Sequence, residues 1–457
     1  MVVVAVFLLG CIVWIQRTQR KYKRLCCCQS VSERQPQQVT SETEHIGRGR
    51  QRYNGQWFSQ TRPFHVHIYS AFFDSRQTLR FQPQVAVIGV IDRRLSQQRR
   101  VWCHVWYNTD DDATVLAAHL MPTGAGKLMS DGSELIEHVI ACPVTTDECI
   151  PPVSVALAWG ASVSETTTFR VPVELAQKNA SQLSSLAVCV SASFGHVDAR
   201  LLVEWLEMQQ ILGVELVVIY NHSVSQLAAH ILSQYADADM SVPRVELRQT
   251  RAFMSDADVL LHMSPVINDC MYRFSAHFQY FAVIDLDEVI VPRHWHTIPA
   301  LIESLTTKNA VPVALFVFRN AYFFLDIPVD DIQRPSHPNA ALSTYLVHRR
   351  RLIASPPAYS VKSIVNAEAC VAMHNHYCWT YATDVLSYWT ARLDVAPSDA
   401  LLHHYKRCHL DSYLRQRGYC KSVMAVSVVD NVISKYSSSL IDRLHMRYVM
   451  FNFTSVF

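Results

Sequence analysis

From residue 64 onward, apolar and polar residues alternate in short runs. FHVHIYSAFF and VWCHVWYN change character at nearly every second position, while QVAVIGVID is apolar almost throughout. PPVSVALAWG and TTFRVPVEL carry the pattern on to residue 175. A period of two marks half-buried strands, and helical spacing is scarce in this stretch. The pattern predicts a small β-rich module over residues 61–178, folded as a sandwich.

Near residue 185 the period changes. LAVCVSA reads as a buried strand, and DARLLVEWLEMQQILG as an amphipathic helix. Its apolar positions Leu201, Leu202, Trp205, Met208, Ile211 and Leu212 recur at helical spacing, and Gly213 ends it. ELVVIYN is the next strand. Strand, helix and strand in close succession make a βαβ unit, which requires a parallel sheet. VPRVELRQ adds a strand, and HMSPVINDCMYRFSAHFQY reads as a helix broken around Pro265. It leads into one long strand, FAVIDLDEVIVP. The expected class is α/β, with a parallel-sheet domain over 183–430 and a tail at 431–457.

Composition narrows the function classes. Half of the 457 residues are hydrophobic and 18% are charged, so the chain is globular. A formal net charge of +2 gives no case for nucleic acid as a partner. The opening run MVVVAVFLLGCIVWIQ, residues 1–16, reads as a membrane anchor, although it is shorter than the ~20 residues of a usual spanning helix. A polar stem follows at 17–60. The basic residues Arg17, Arg20, Lys21, Lys23 and Arg24 follow the run, which by charge bias favours a cytosolic body. The Cys26–Cys28 cluster, a candidate for palmitoylation, agrees with that. The sequons at Asn179, Asn221 and Asn452 pull the other way, toward a secretory lumen. No CxxC pair supports a structural zinc site; the short spacings Cys142/Cys149, Cys370/Cys378 and Cys408/Cys420 suit local disulfides.

The chemistry is concentrated in FAVIDLDEVIVPR. An apolar run drives into Asp285, Asp287 and Glu288 and then returns to apolar residues. A polar strand end facing water is the plain explanation. Two chemical ones compete with it. Two aspartates one residue apart can hold Mn²⁺ or Mg²⁺ against the pyrophosphate of a nucleotide-sugar, making the nucleoside diphosphate a better leaving group. Alternatively, D-x-D-x-V after an apolar strand is the first motif of haloacid-dehalogenase-type phosphatases, with Asp285 as nucleophile and Asp287 as acid/base. That motif normally opens its domain, whereas here a βαβ unit precedes it. The later pair Asp330-Asp331 follows Pro328 in a loop. Further along, YSVKSIVNAEACVAMHNHYCW carries Lys362, His374 and His376, and LLHHYKRC carries His403, His404 and Tyr405. A distant neutral imidazole is a common third ligand to such a metal.

These residues resemble glycosyltransferase family 92, a set of animal and plant enzymes with a GT-A-like fold that are often type II membrane proteins of the Golgi. The resemblance rests on blocks in order: YSAFFDSR with VAVIGV at 69–90, LAVCVSASFG at 186–195 and LLVEWLEMQQILGVELVVIYNHS at 201–223. YFAVIDLDEVIVPR at 280–293, YSVKSIVNAEACVAMHNH at 359–376 and LLHHYKRC at 401–408 complete it. The resemblance implies a membrane-anchored galactosyltransferase of the Golgi lumen, moving galactose from UDP-galactose to a glycan with Mn²⁺ present. It implies Asp285 and Asp287 as the metal pair, with His374 as third ligand and His376 as the alternative. It implies a donor site of Ser191, Ser193, Lys362 and Asp285, and an acceptor or metal side at His404 and Tyr405. The general base is not given by position, and Asp326, Asp256 and Glu368 are the candidates. A catalytically inactive, glycan-binding relative is the second class of function the sequence allows.

Overall fold

The computed structural model describes residues 57–451 except 77–81, 99, 109–111, 125, 130, 145–149, 161–166, 176–183, 196, 237–242, 251–262, 310, 327–342, 347–348, 352–353, 355–359, 383–391 and 409–426. The expected anchor lies outside this set, as do Asn179, Asn452, Asp256, Cys149 and Cys420. Among the described residues no helix is long and apolar enough to cross a membrane.

The amino-terminal module is a 10-stranded sheet curled on itself. Strands Val66–Asp74, Gln84–Asp92 and Glu134–Pro143 form one antiparallel half. Thr114–Ala117, Trp102–Trp106 and Ser154–Ala158 form the other. Strand Val171–Leu175 joins them, parallel to Val66–Asp74 and antiparallel to Ser154–Ala158. Val66, Ile68, Val87 and Ile140 of one half share a core with Cys103, Val105, Val155 and Leu157 of the other. The disulfide Cys103–Cys142 crosses that core. Cys142 therefore does not pair with its near neighbour Cys149. A disulfide needs facing Cβ atoms, and the sandwich supplies them from a strand 39 residues away. Cys370–Cys378 does pair locally as its spacing suggests.

Alternate residues of the first half, Tyr69, Phe72, Ala86, Ile88, Val139 and Ala141, point away from the sandwich core. They pack against the second domain, which explains why these strands read as nearly continuous apolar runs. Polar ties reinforce the contact. Arg273 pairs with Glu174, and Arg76 donates to the carbonyls of Ala367 and Cys370 at 2.8 and 2.6 Å.

The second domain carries strands β1 (Ser184–Gly195), β2 (Leu216–Val224), β3 (Arg244–Gln249), β4 (Phe278–Val283), β5 (Glu288–Pro292), β6 (Leu315–Phe318), β7 (Asn320–Phe324), β8 (Arg349–Arg351), β9 (Lys362–Asn366), β10 (Cys370–Met373), β11 (Cys378–Tyr381), β12 (Arg392–Asp394), β13 (Ala400–Lys406) and β14 (Ser427–Val429). Its helices are α1 (Ala199–Ile211), α2 (Gln226–Ala236), α3 (Ser264–Phe274), α4 (Ile298–Lys308) and α5 (Ser437–Met450). The central sheet runs β3-β2-β1-β4-β9-β6-β12. Strands β3, β2, β1 and β4 are mutually parallel, as the βαβ pattern requires, and β9 joins antiparallel to β4. A smaller sheet runs β5-β13-β7-β8-β14, and β10 with β11 forms a separate hairpin.

Helix α1 starts where the Asp198 carboxylate accepts from the backbone N–H groups of Arg200 and Leu201. It ends at Gly213, whose φ of +86° suits glycine and few other residues. Pro265 does not break a helix; it sits in the first turn of α3, where its missing N–H costs nothing. The expected single strand FAVIDLDEVIVP is two strands. β4 ends at Val283 and β5 begins at Glu288 in the other sheet, with the aspartates in the turn between them. The expected tail at 431–457 is also corrected over its described part. Residues Val432–Tyr436 form a 3₁₀ turn that leads into α5. Leu440, Ile441, Leu444 and Tyr448 of α5 are buried in the main core, and Arg447 pairs with Glu207 of α1.

Candidate active site

The turn between β4 and β5 lies beyond the carboxyl end of a parallel strand, the edge where open α/β sheets bind ligands. Asp285 is held in place from three sides. Its N–H donates to Glu288 Oε2 at 3.0 Å, while its carbonyl accepts from the Glu288 N–H at 3.1 Å. Ser191, in β1 just past its last pairing with β4, donates its hydroxyl to Asp285 Oδ1 at 3.2 Å. Lys362, at the start of β9, places Nζ 2.9 Å from Asp285 Oδ2 and 3.6 Å from Glu288 Oε2.

The register explains the lysine. β9 runs antiparallel to β4 with Ser363 opposite Val283, so Lys362 arrives beside the first residues after β4. Burial opposes the charge on Lys362, but Asp285 and Glu288 hold the ammonium above the ordinary lysine range. Burial pushes the Glu288 carboxyl upward, with Lys362 pulling against it. The same ammonium donates to Asn375 Oδ1 at 2.9 Å, which ties the β10–β11 turn to the site.

Asp287 faces the smaller sheet. β5 and β13 pair with Glu288 opposite His404, so His404 Nε2 comes 3.2 Å from Asp287 Oδ2 and Nδ1 comes 3.4 Å from Glu288 Oε1. Desolvation works against the charge on Asp287, yet His404, Lys406 and Lys362 hold its carboxyl below the usual range. Buried Asn320 of β7 lies with Nδ2 2.9 Å from His404 Nδ1, and Tyr322 packs its ring on the imidazole. Beneath the turn, Trp205 donates Nε1–H to the Glu288 carbonyl at 2.8 Å. Buried Glu204 accepts from the N–H groups of Thr344 and Tyr345, and Tyr345 reaches the Leu286 carbonyl at 3.4 Å.

The fold brings Ser191, Lys362, Asp285, Asp287 and His404 into one connected set. Ser193 is buried close by, its hydroxyl toward the Ser191 carbonyl. Tyr405 is placed differently from the expectation. Strand alternation turns its ring into the core, stacked on Tyr345 at 4.3 Å, and only its backbone N–H serves the site, donating to the Asp287 carbonyl at 2.8 Å. Glu368 is an exposed turn residue beyond the far end of β9, about 13 Å along the strand from Lys362 at ~3.3 Å per residue. The structure does not bring it to the carboxylates. Asp326 follows β7 on the same edge as Asp287 and accepts from the Cys408 N–H at 3.0 Å.

The expected triad of Asp285, Asp287 and His374 is not assembled. Among the described residues, no three His, Cys, Asp or Glu side chains converge as a metal cage. His374 stacks on Trp379 instead, at 5.0 Å, and burial pushes its imidazole down to about 4. His376 is better directed. It donates Nδ1–H to the Val361 carbonyl at 2.7 Å, an arrangement that leaves Nε2 as a free lone pair, and its imidazole lies in the field of Asp285. Burial, with the Lys362 charge, pushes its imidazole below the ordinary histidine range. The side chains of Asp285 and Asp287 are 38% and 44% exposed, so both offer oxygens to a solvated cation. That donor set fits Mn²⁺ or Mg²⁺, which is often held by one or two carboxylates with phosphate and water completing the shell.

Sequence reading missed Asn320, Asn375, Glu204 and Trp205. The buried polar residues in LFVFRNAYFF and LLVEWLEMQQ were the available signal, because a buried amide or carboxylate needs a partner.

The Glycosyltransferase family 92 profile matches residues 184–447, more than half of the chain. No curated protein is similar enough to count as a match. Solved structures overlap loosely. A UDP-glucose pyrophosphorylase complexed with UDP-glucose is 9% identical, with 52% of this chain and 100% of that one covered at a TM-score of 0.23. HddC from Yersinia pseudotuberculosis is 11% identical over 49% of this chain and 91% of its own, at 0.23. The apo WbbM bifunctional glycosyltransferase is 13% identical over 44% and 35%, at 0.21. Overlap this loose adds nothing to the reading of the chain.

Proposed function

Because the chain belongs to glycosyltransferase family 92, we propose that it transfers a hexose, galactose from UDP-galactose, to a hydroxyl of a glycan. The observation that carries the reading is the linked set Ser191–Asp285–Lys362 and Asp287–His404 at the carboxyl edge of the parallel sheet. Asp285 and Asp287 would hold Mn²⁺, which neutralises charge on the departing diphosphate when bound. Lys362, fixed by Asn375 and two carboxylates, keeps a permanent positive charge at the same edge and favours the anionic leaving group. His404 and Asn320 hold Asp287 in orientation.

In the transfer, the acceptor oxygen bonds to the anomeric carbon, the bond to the diphosphate oxygen breaks, and the acceptor proton passes to a carboxylate. Asp326 is the described candidate on the correct edge for that proton. Family membership favours this reading over phosphate-monoester hydrolysis by Asp285. The body is proposed to lie in the Golgi lumen, anchored by residues 1–16.

The test is a screen of UDP-sugars with the full chain and Mn²⁺, read by released UDP and repeated with Asp287→Asn. UDP release from UDP-galactose that the substitution abolishes supports the proposal. Release from no UDP-sugar, or release indifferent to Asp287, rejects it.

A further inference from the structure

We propose that Trp379 is the platform on which a sugar ring of the acceptor lies, a role that rests on the transferase reading above. The β10–β11 hairpin is a rigid mount. Cys370–Cys378 staples it, and Cys370, Val371, Ala372, Met373 and Cys378 sink its inner side into the core. Arg76 of the β-rich module fixes its base by donating to the Cys370 carbonyl, and Ser363 fixes its turn by donating to the His376 carbonyl at 2.9 Å.

On this mount Trp379 is 46% exposed, the one aromatic residue among the exposed large hydrophobics described. The exposed half of the indole is open to a partner from solution. His374 lies against the ring at 5.0 Å and 21° between planes, which sets the orientation of the indole. The hairpin turn is joined to the donor site by a single ammonium. Lys362 bonds both Asn375, between His374 and His376, and Asp285. The platform is therefore carried on the same hairpin whose turn Lys362 ties to Asp285.

A pyranose suits such a surface. One face of the ring presents C–H groups, which pack on an indole, while the hydroxyls around its edge stay free for polar partners. The occupant is thus a sugar residue of the acceptor, with its reacting hydroxyl turned toward the carboxylates. The uracil of the donor is the rival occupant, and it would make Trp379 part of nucleotide binding.

The experiment is saturation-transfer NMR on the full chain with UDP and Mn²⁺ present. Its probes are the methyl glycosides of galactose, glucose, mannose, fucose and N-acetylglucosamine. The expected result is saturation of at least one glycoside, strongest on the C–H protons of one ring face. Trp379→Ala should cut it at least about tenfold and Trp379→Phe should restore a large part, with the UDP signal kept in both. Glycoside saturation that survives Trp379→Ala overturns the proposal, as does no glycoside binding to the wild-type chain. Loss of the UDP signal along with the glycoside signal also overturns it, assigning the indole to nucleotide or to the hairpin. Binding is read without turnover, so the two readings part. A Trp379-dependent glycoside signal in a chain that consumes no UDP-sugar keeps the indole as a sugar-binding surface but overturns its assignment to an acceptor, together with the transferase. Transfer without a Trp379-dependent glycoside signal keeps the transferase and overturns the platform.

Discussion

Lys362, at the start of β9, and Asp285, in the turn that follows β4, form an ion pair of 2.9 Å, with the lysine side chain only 3% exposed. A buried ammonium is stable only when its charge is compensated, and here Glu288, itself 2% exposed, completes the compensation. Lys362→Met strands a buried carboxylate and should cost about 3 kcal/mol of stability as well as most of the activity. Lys362→Met with Glu288→Gln should recover much of the stability and none of the activity, measured by denaturant unfolding and UDP release. Full recovery of activity in the double variant would remove Lys362 from the chemistry.

Asp287→Asn should lower turnover by about a hundredfold or more, roughly 3 kcal/mol of transition-state stabilisation. The side chain is 44% exposed, so folding should survive. Circular dichroism and melting temperature check the fold, and transfer assays check the loss.

The two hairpin histidines should separate in their metal dependence. His376→Ala should raise the Mn²⁺ concentration needed for half-maximal activity more than His374→Ala, since His376 has the free Nε2 and the Val361 carbonyl behind it. Equal, mild effects would leave the metal to carboxylates, phosphates and water.

Glu137 predicts a pH dependence of folding. Its carboxyl is buried where the β-rich module meets α3, and burial pushes it up to about 8 while Ser264 hydrogen bonds pull against the rise. The folded state keeps a proton that the unfolded chain releases at the ordinary value of 4.5. Its stabilising contribution is therefore complete below that value and is lost as pH rises toward about 8. Glu137→Gln should flatten this slope and raise the melting temperature most at the alkaline end. Parallel melting curves for both proteins across the window would remove Glu137 as the cause.

A lumenal body should carry glycans. Endoglycosidase should lower the mass of the chain expressed in animal cells, and Asn179→Gln or Asn452→Gln should remove part of that shift. Asn221→Gln should leave it intact. Its side chain accepts from the Val224 N–H at 3.0 Å within β2, which is paired on both flanks. An unshifted chain that protease reaches in intact microsomes would place the body in the cytosol.

Local elements and the places where reactive side chains gather can be read along the chain. The β-rich module, the βαβ unit and the carboxylates at a strand end were legible because burial imposes periods of two and 3.6 on neighbouring residues. The family blocks around Asp285, Lys362 and His404 were legible for the same reason, as short ordered patterns. Which distant segments face one another is set by the folded chain alone. The pattern FAVIDLDEVIVP gave no sign that β4 and β5 enter different sheets, because both halves are equally buried. Cys142 found Cys103 because two sheet halves close over one core. His404 faces Asp287 while its neighbour Tyr405 turns inward, since successive side chains on a strand point to opposite faces and only the β5–β13 register fixes which face meets the site. His374 and His376 lie two residues apart, yet one stacks on Trp379 and the other is aimed by Val361. Spacing along a chain constrains what a segment can form; the long-range pairing of strands sets where each side chain ends up.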